Sequence, residues 1–380
     1  MIDLSNGIRS VNSLNLSDFA SSIRYVKLNS SDENLLAVFN QIIYEDGLFM
    51  ISDNQEKYVY TFNEDGSFKQ KIGQIGQGPG EYNKLKWFDY LPGHDEILIH
   101  PYSRDTYFYN PEGNFIRKFN FSKFYETDTT VIESPFRVIY VNPTVFAIDI
   151  NFVGTPLSKL MLVKDSLQVI LDVPANSSFE FDWGEMGAIL GHGLQVPETN
   201  VVMYRRGDKI IHYNPYQDTI HVIDKNLKME YIPINFGNYK NDSYSKEKVI
   251  SLLNMEEFSD FFFFEFRASG LTPEPYESYS NGMTITLSNI CAVYNKKTSE
   301  LTFLKQAQKG KLGFKNDIDD GLPFWPKYIN AHGEMVSYYQ PDEFMEAFQN
   351  KEDVPDDVKA ILKDLQNDDN PIVVIAKIKQ

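Results

Sequence analysis

Four observations in the sequence predict an all-β protein, a single six-bladed β-propeller over residues 1–380. A strand–turn–strand pattern recurs at intervals of roughly 50 to 70 residues. The strands beside the turns alternate apolar and polar side chains at period two. Strand-like segments stand at both ends of the chain, and aromatic residues make up 14% of it, which supplies the apolar surface of a large core.

The clearest repeat is a pair of hairpins, Tyr58–Phe68 and Asp105–Phe115, which align without a gap. In both, an apolar strand is followed by a short polar segment and a second strand. Gly66 and Gly113 occupy equivalent turn positions and allow the positive φ that a tight hairpin needs. Each segment is therefore predicted to be one hairpin of an antiparallel sheet.

Four further hairpins repeat this pattern less faithfully. They are Leu160–Ile170, Asp218–Leu227, Val293–Phe303 and Lys327–Tyr339. In Asp218–Leu227, Asn226 is expected to take the place of the turn glycine. Six hairpins, each preceded by another apolar segment, predict six blades.

The two ends of the chain are expected to close the ring. Ile23–Leu28 and Ile372–Ile378 both read as strands, and pairing them within one blade would leave no sheet edge open. Short helical insertions are predicted near 245–258 and 342–366. Apolar residues lie on one helical face in each insertion: Val249, Leu252 and Leu253 in the first, and Val358, Ile361, Leu362 and Leu365 in the second.

Charge and cysteine content narrow the function classes. The chain has 53 acidic and 36 basic side chains, a net charge of -17, which argues against nucleic acids and anionic membranes as partners. The single cysteine, Cys291, excludes an intrachain disulfide and a thiolate zinc cluster.

No segment approaches the roughly 20 apolar residues of a membrane span. Met1–Gly7 lacks the features of a signal peptide, which leaves a cytoplasmic protein or one whose export signal has been removed.

Three segments carry a resemblance to a known family: the Gly-rich Ile72–Tyr82, Ile23–Leu28 near the start and Asn316–Pro326 near the end. Together they resemble the six-bladed β-propeller family of gut bacteria, which is similar to NHL-repeat propellers and mostly of unknown function. The resemblance covers nearly the whole chain. It implies a periplasmic or cell-surface protein, with a lipid anchor in the full-length form. Between Phe236 and Gly282, around Phe261–Phe264, the sequence departs from the pattern and the strand register is open.

The Gly-rich segment contains four glycines and a proline in eight residues, which invites comparison with a phosphate-binding loop. The Gly-Lys-Ser/Thr ending is missing, and the proline removes a backbone donor. We therefore predict a structural loop crossing from one blade to the next, built on Gly73, Gly76, Gly78, Pro79 and Gly80.

The candidate ligand-binding residues are Asp317, Asp319, Asp320 and Trp325, which form an acidic loop beside an aromatic ring. An EF-hand is excluded, because Gly321 is the fifth residue of the segment where calcium loops need glycine sixth. Turn and capping chemistry is the alternative interpretation of the same carboxylates.

The six histidines include no HExxH pair, and no metal or cofactor is predicted. His212 and His221 flank a turn and could approach each other across a hairpin. No nucleophile elbow or hydrolase triad is recognisable.

These observations favour a non-enzymatic, exported or cell-surface module that binds a glycan, a small ligand or a protein partner through propeller loops or the central channel. The alternative is a glycoside hydrolase or lyase that uses channel carboxylates. A close pair of buried carboxylates with raised pKa would favour the enzyme, and a mixed polar and aromatic channel would favour the binding module.

Overall fold

The computed structural model describes residues 1–121, 135–151, 158–173, 201–214, 218–240, 247–280, 283–349, 351 and 354–379. Their strands form small sheets arranged in a ring, which is a six-bladed β-propeller, and the sheets are antiparallel except where two short strands, Ile2–Asp3 and Val11–Asn12, join their blades in parallel. The predicted fold class is confirmed.

The chain starts with three strands that join blades formed much later in the sequence. They are β1 (Ile2–Asp3), β2 (Val11–Asn12) and β3 (Ala20–Lys27). A 3-10 turn at Leu16–Asp18 precedes β3.

Blades 1 to 3 are four-stranded meanders in which sequence order equals spatial order. Blade 1 contains β4 (Phe39–Glu45), β5 (Leu48–Asp53), β6 (Val59–Asn63) and β7 (Phe68–Ile72). Blade 2 contains β8 (Leu85–Tyr90), β9 (Ile97–Pro101), β10 (Asp105–Tyr109) and β11 (Phe115–Asn120). Blade 3 contains β12 (Pro135–Asn142), β13 (Val145–Asn151), β14 (Ser158–Lys164) and β15 (Val169–Val173).

Blades 4 to 6 each take up one strand from the start of the chain. Blade 4 contains β16 (Val202–Arg206), β17 (Lys209–Tyr213), β18 (Thr219–Asp224) and β19 (Met229–Asn235), followed by a 3-10 turn at Gly237–Tyr239. Blade 5 contains β20 (Val249–Phe258), β21 (Phe261–Ser269), β24 (Asn289–Asn295) and β25 (Glu300–Leu304), with the inserted hairpin β22 (Tyr276–Ser280) and β23 (Met283–Leu287). Blade 6 contains β26 (Tyr328–Ile329), β27 (Glu334–Tyr339) and β28 (Ile372–Ile378), with helices α1 (Pro341–Phe348) and α2 (Asp356–Asp364) between the last two strands.

The outer hairpins share one turn geometry, a tight turn whose last residue has a positive φ, in the left-handed region of backbone conformation. Gly66 has φ +85° and its N–H donates to the Asn63 carbonyl at 2.9 Å. The expectation for Asn226 is wrong, because Leu227 holds the equivalent position at φ +68°. The Asp224 carboxylate fixes this turn by accepting from the Asn226 and Lys228 amides, which offsets the roughly 1 to 2 kcal/mol cost of a left-handed leucine.

Ring closure occurs as predicted, in blade 6. Strand β28 lies between β27 and β3, and Val374 pairs antiparallel with Tyr25. Because β3 comes from the start of the chain and β28 from its end, this blade joins the two termini.

The helix predicted near 245–258 is wrong, since Val249–Phe258 form strand β20. A bulge between Leu252 and Asn254 inserts Leu253 into the strand. Ile250, Leu252 and Met255 consequently face the same core at spacings of two and then three. The added residue converts a period-two pattern into one that resembles a helical face.

The helices predicted near 342–366 are present as two short segments, α1 and α2. Phe344 and Phe348 of α1 pack edge-on against Tyr25, with ring centroids 5.1 and 5.6 Å apart. Val358 of α2 is completely buried in the same cluster. The helices therefore cover the blade that closes the ring.

Apolar clusters lie between neighbouring blades, so one strand contributes to two cores. In β21, Phe262 and Phe264 face the cluster shared with blade 4, whereas Phe263 faces the cluster shared with blade 6. The register that the sequence left open is fixed by pairing of Phe258 with Phe261 and of Phe263 with Val293.

We expect Ile375→Ala to lower the free energy of unfolding by about 2 to 5 kcal/mol, because Ile375 is 2% exposed in β28 and its loss leaves a cavity beside blade 1. Urea denaturation checks this value. Ile116→Ala on outer strand β11, where the side chain is 45% exposed, is the matched control and should change stability by less than about 0.5 kcal/mol. Equal effects of the two substitutions would contradict the role assigned to the closing strand.

Candidate functional site

The first strand of every blade borders a central cavity of about 360 Å³. This size lies at the lower end of ligand pockets, which are roughly 300 to 1,000 Å³. Described residues that line it come from all six blades: Phe39, Asn40, Gln41, Ile42, Ile43, Trp87, Asp89, Tyr90, Arg137, Ile139, Tyr204, Arg205, Leu253, Asn254, Glu256, Glu265, Lys327, Tyr328 and Tyr338. We call this cavity the channel site.

Strand periodicity places these side chains. Trp87 and Asp89 are two residues apart on β8, and Asn254 and Glu256 are two residues apart on β20, so each pair faces the same side of its sheet. The intervening Phe88 is completely buried in the core between blades. Polar residues at alternate positions of the innermost strands therefore form the wall of the channel site.

A buried ion pair spans the channel site between blades 2 and 4. Arg205 Nη2 lies 3.2 Å from Asp89 Oδ2, and both side chains are 4% exposed. The backbone N–H of Tyr140 donates to the same oxygen at 2.8 Å. Burial raises the pKa of Asp89, while the Arg205 charge and the hydrogen bonds oppose that shift.

Two glutamates lie at the interface of blades 5, 6 and 1. Burial raises the pKa of Glu256 well above its usual range, because Arg206 offsets only part of the desolvation. Burial also raises the pKa of Glu45, although Tyr328 donates its hydroxyl to Glu45 Oε1 at 2.6 Å. The Tyr328 hydroxyl stays protonated, since burial and then the charges of Glu45, Glu256 and Asp89 raise its pKa.

Cationic side chains also line the channel site and balance the carboxylates there. The Arg137 guanidinium lies 4.1 Å from the centre of the Trp87 ring and donates to the Met203 carbonyl at 2.8 Å. Lys327 Nζ lies 3.5 Å from Glu265 Oε2, whose charge raises the lysine pKa. A chain of net charge -17 therefore gathers three cations at its centre.

Several polar atoms of the channel site are buried without a hydrogen-bond partner. They are Trp87 Nε1, the Tyr204 hydroxyl oxygen, Arg205 Nε and Nη1, and Glu256 Oε2. Leaving such an atom unpaired costs about 1 to 3 kcal/mol, and more when the group is charged. Buried polar groups in proteins are normally paired, so these atoms call for a partner, which a bound water or ligand in the cavity would supply.

A second polar cluster lies between blades 3 and 4. His212 Nε2 is 2.7 Å from Asp149 Oδ2, and His212 Nδ1 is 3.4 Å from His221 Nδ1. The approach of the two histidines across the hairpin is confirmed, as they are direct partners of β17 and β18. The His221 ring contacts the 62% exposed Tyr231 edge-on, so the cluster extends toward solvent.

The acidic loop predicted as a ligand site makes internal contacts. Asp317 accepts from the Ser17 amide and hydroxyl at 2.9 and 2.6 Å, and Asp319 accepts from the Tyr25 hydroxyl at 2.7 Å. The Asp320 side chain is 84% exposed and lies 3.6 Å from Lys351 Nζ.

Trp325 is 7% exposed and packs against Phe263 and Phe314. The contacts of Asp317 with Ser17 and of Asp319 with Tyr25 tie this loop to the start of the chain. Ligand binding by this loop stays a prediction.

The glycine-rich loop joins β7 of blade 1 to β8 of blade 2. Gly80 has φ +81°, and a Cβ there would lie 2.7 Å from the Phe115 ring. The Tyr109 hydroxyl donates to the Gly80 carbonyl, and the Gly78 N–H donates to Glu81 Oε2 at 2.8 Å. The Glu81 carboxylate thus accepts the backbone hydrogen bond that a bound anion would otherwise accept.

Cys291 is 1% exposed, and burial, followed by the charge of Glu265, raises its thiol pKa. One of the six histidines, His192, lies outside the described residues. The described part of the chain contains no group of three or more potential metal ligands and no helix long and apolar enough to cross a membrane.

Sequence comparison matches residues 1–377 to the model of a domain of unknown function, DUF4934. The chain belongs to this family. No curated protein matched it.

The DUF4934 propeller is similar to two solved structures. One is a protein of Bacteroides fragilis described as a candidate exported protein, with 15% identity, 98% coverage of both chains and a TM-score of 0.66. The other is a DUF4221 family member of Bacteroides vulgatus, with 10% identity, 95% coverage of this chain, 97% of the other and a TM-score of 0.52. At these identities the likeness shows the fold alone.

The histidine cluster predicts a pH dependence of the stability of the DUF4934 propeller. Burial, and then the neighbouring His212, lower the pKa of His221 to about 4, from 6.5 in a solvated chain. Between these values the unfolded chain binds a proton that the folded chain does not, so stability falls as the pH drops from about 6.5 to 4. We expect the wild type to lose about 3 kcal/mol more over this interval than His221→Gln.

Urea denaturation at several pH values checks this difference. His332→Gln, at an exposed histidine, is the control and should follow the wild type. Parallel pH profiles for the wild type and His221→Gln would contradict the prediction.

Proposed function

We propose that the protein is an exported, non-enzymatic binding module that takes a small polar ligand into the channel site. The observation that carries the proposal is the set of buried polar atoms without partners at Trp87, Arg205 and Glu256, all on one cavity. A ligand that satisfied them would recover the free energy lost on their desolvation.

The lining has the composition of a binding site. Aromatic rings from Trp87, Tyr204 and Tyr328 stand beside charged groups, and the surrounding strands hold them rigidly. Because rigid walls lose little conformational entropy when a ligand enters, such a site can bind a small molecule without reorganisation.

Export is proposed on a separate basis. The Bacteroides fragilis protein that shares this fold over 98% of both chains is described as a candidate exported protein. A periplasmic or cell-surface location agrees with that similarity, and a lipid anchor in the full-length protein belongs to the proposal as what the sequence resemblance implies.

A second candidate function is cleavage of a carbohydrate by a glycoside hydrolase or lyase reaction. Asp89 and Glu256 both line the channel site, and burial raises the pKa of both. A carboxyl kept protonated in this way can serve as a general acid. Neither group is among the causes of the other's shift, and Asp89 is already ion-paired with Arg205, so binding is the better supported function.

We expect a calorimetric or NMR screen of sugars, sugar acids and small metabolites to give saturable one-to-one binding without product formation. Asn254→Trp should weaken binding of any hit at least about tenfold, because Asn254 lines the cavity and an indole would fill it. Asn226→Trp on an exposed turn is the matched control and should bind like the wild type.

Two outcomes would redirect the proposal. Turnover of a bound sugar, detected by chromatography of the products, would establish the second candidate function. Binding that survives Asn254→Trp would place the ligand elsewhere, and Asp320→Asn would then test the acidic loop.

A further inference from the structure

We propose that the ligand of the channel site is an uncharged sugar, held by hydrogen bonds and by contact of its C–H face with aromatic rings. This inference rests on the proposed binding function and names the chemical class of its ligand. Two observations carry it. The charges at the cavity are compensated within the protein, and the lining combines aromatic rings with side-chain amides.

Two ion pairs account for four of the six charged residues in the described lining. Arg205 Nη2 lies 3.2 Å from Asp89 Oδ2, and both side chains are 4% exposed. Lys327 Nζ lies 3.5 Å from Glu265 Oε2. A charged ligand would have to compete with a partner that is already in place, and separating a buried pair leaves the other charge without compensation.

The other two charged residues of the described lining are Arg137 and Glu256. Arg137 donates to the Met203 carbonyl at 2.8 Å. Burial lowers the pKa of Arg137 to about 10 against the charge of Asp149, so the guanidinium keeps its proton and has that carboxylate as its counter-charge. Burial favours the uncharged carboxyl of Glu256. The described lining therefore offers an ionic ligand no uncompensated charge, and taking an ion out of water without one is costly.

Aromatic rings and side-chain amides lie together in the lining. The rings of Phe39 and Tyr338 have centroids 4.4 Å apart and are inclined by 39°, so they form adjoining parts of the wall. Asn40 is exposed and Asn254 is half-buried, so a molecule in the cavity can reach both amides. Each amide carries both donors and an acceptor.

An uncharged sugar matches these groups. Each sugar hydroxyl donates and accepts, as an amide does. The C–H face of a sugar ring is apolar, and covering an aromatic ring with it removes apolar surface from water. The volume of about 360 Å³ lies near the lower end for ligand pockets, which favours a single sugar unit over a longer glycan.

Isothermal titration calorimetry with two sets of sugars of matched shape tests the inference. One set is D-glucose, D-glucuronate and D-glucosamine, and the other is D-galactose, D-galacturonate and D-galactosamine. At about pH 6 the acids are anions and the amines are cations. We expect the neutral sugar of at least one set to bind no less than about tenfold more tightly than both charged members, because each ion loses hydration without gaining a counter-charge.

Nicotinamide is the comparison probe, since it is uncharged and aromatic but has no hydroxyl groups. It should bind at least about tenfold more weakly than the preferred sugar, because it can make fewer hydrogen bonds with the amides of the lining.

Glu265→Gln leaves the Lys327 ammonium without its carboxylate partner. The affinity of the acid relative to the neutral sugar should therefore rise by about three- to tenfold. Asn254→Ala removes one amide from the wall and should weaken sugar binding by about three- to tenfold. The matched control is Glu64→Gln, at a glutamate 3.0 Å from Arg24 outside the channel site, which should keep the affinity and the preference of the wild type. Circular dichroism confirms that each variant is folded before its affinity is used.

The outcomes separate this inference from the proposed function. The uncharged sugar is overturned, and channel binding is left intact, if a charged member binds as tightly as the neutral sugar in both sets or if nicotinamide binds as tightly as the sugars. An unchanged preference in folded Glu265→Gln also overturns it. Failure of all six sugars to bind at millimolar concentration overturns it as well, and the channel-filling variant in the wider screen then judges the proposed function on its own.

Discussion

Pairing of β28 with β3 is the interaction on which the ring depends. A propeller blade has apolar surface on both faces, and each face is covered only by the next blade around the axis. If blade 6 lacked its outer strand, β28 would become an unpaired edge and the clusters on either side would open to water. The acidic loop and helix α1 reinforce this point, because Asp319 and Phe344 both contact Tyr25 on β3.

The channel site follows from the same architecture. Six first strands border the central cavity, and several of their inward side chains, among them Asp89, Arg205 and Glu256, are buried. Charged groups placed there are costly unless they are paired, as Asp89 and Arg205 are. Groups without partners, such as Arg205 Nη1 and Glu256 Oε2, are the exception, and a function accounts for them better than stability does.

Much of the fold could be predicted from the outer hairpins, because their turn chemistry repeats along the chain. The lining could not be located in this way, since Trp87, Arg137 and Glu256 lie on first strands, where the sequence does not repeat. The available signal was a polar side chain inside an otherwise apolar strand, as at Asp89 between Phe88 and Tyr90. The strand β20 was misassigned because one bulged residue altered the spacing of its apolar positions. Sequence patterns encode local geometry well, whereas convergence of distant strands on an axis requires the closed ring.

The first 27 residues supply strands to blades 4, 5 and 6 in succession, with Ile2 beside Ile234, Val11 beside Phe303 and Val26 beside Val373. These pairings raise the contact order, which slows folding. Each strand at the beginning of the chain can pair only after its own partner segment, around Ile234, Phe303 or Val373, is available. Until then its backbone donors and acceptors are unpaired, which is an aggregation hazard during folding.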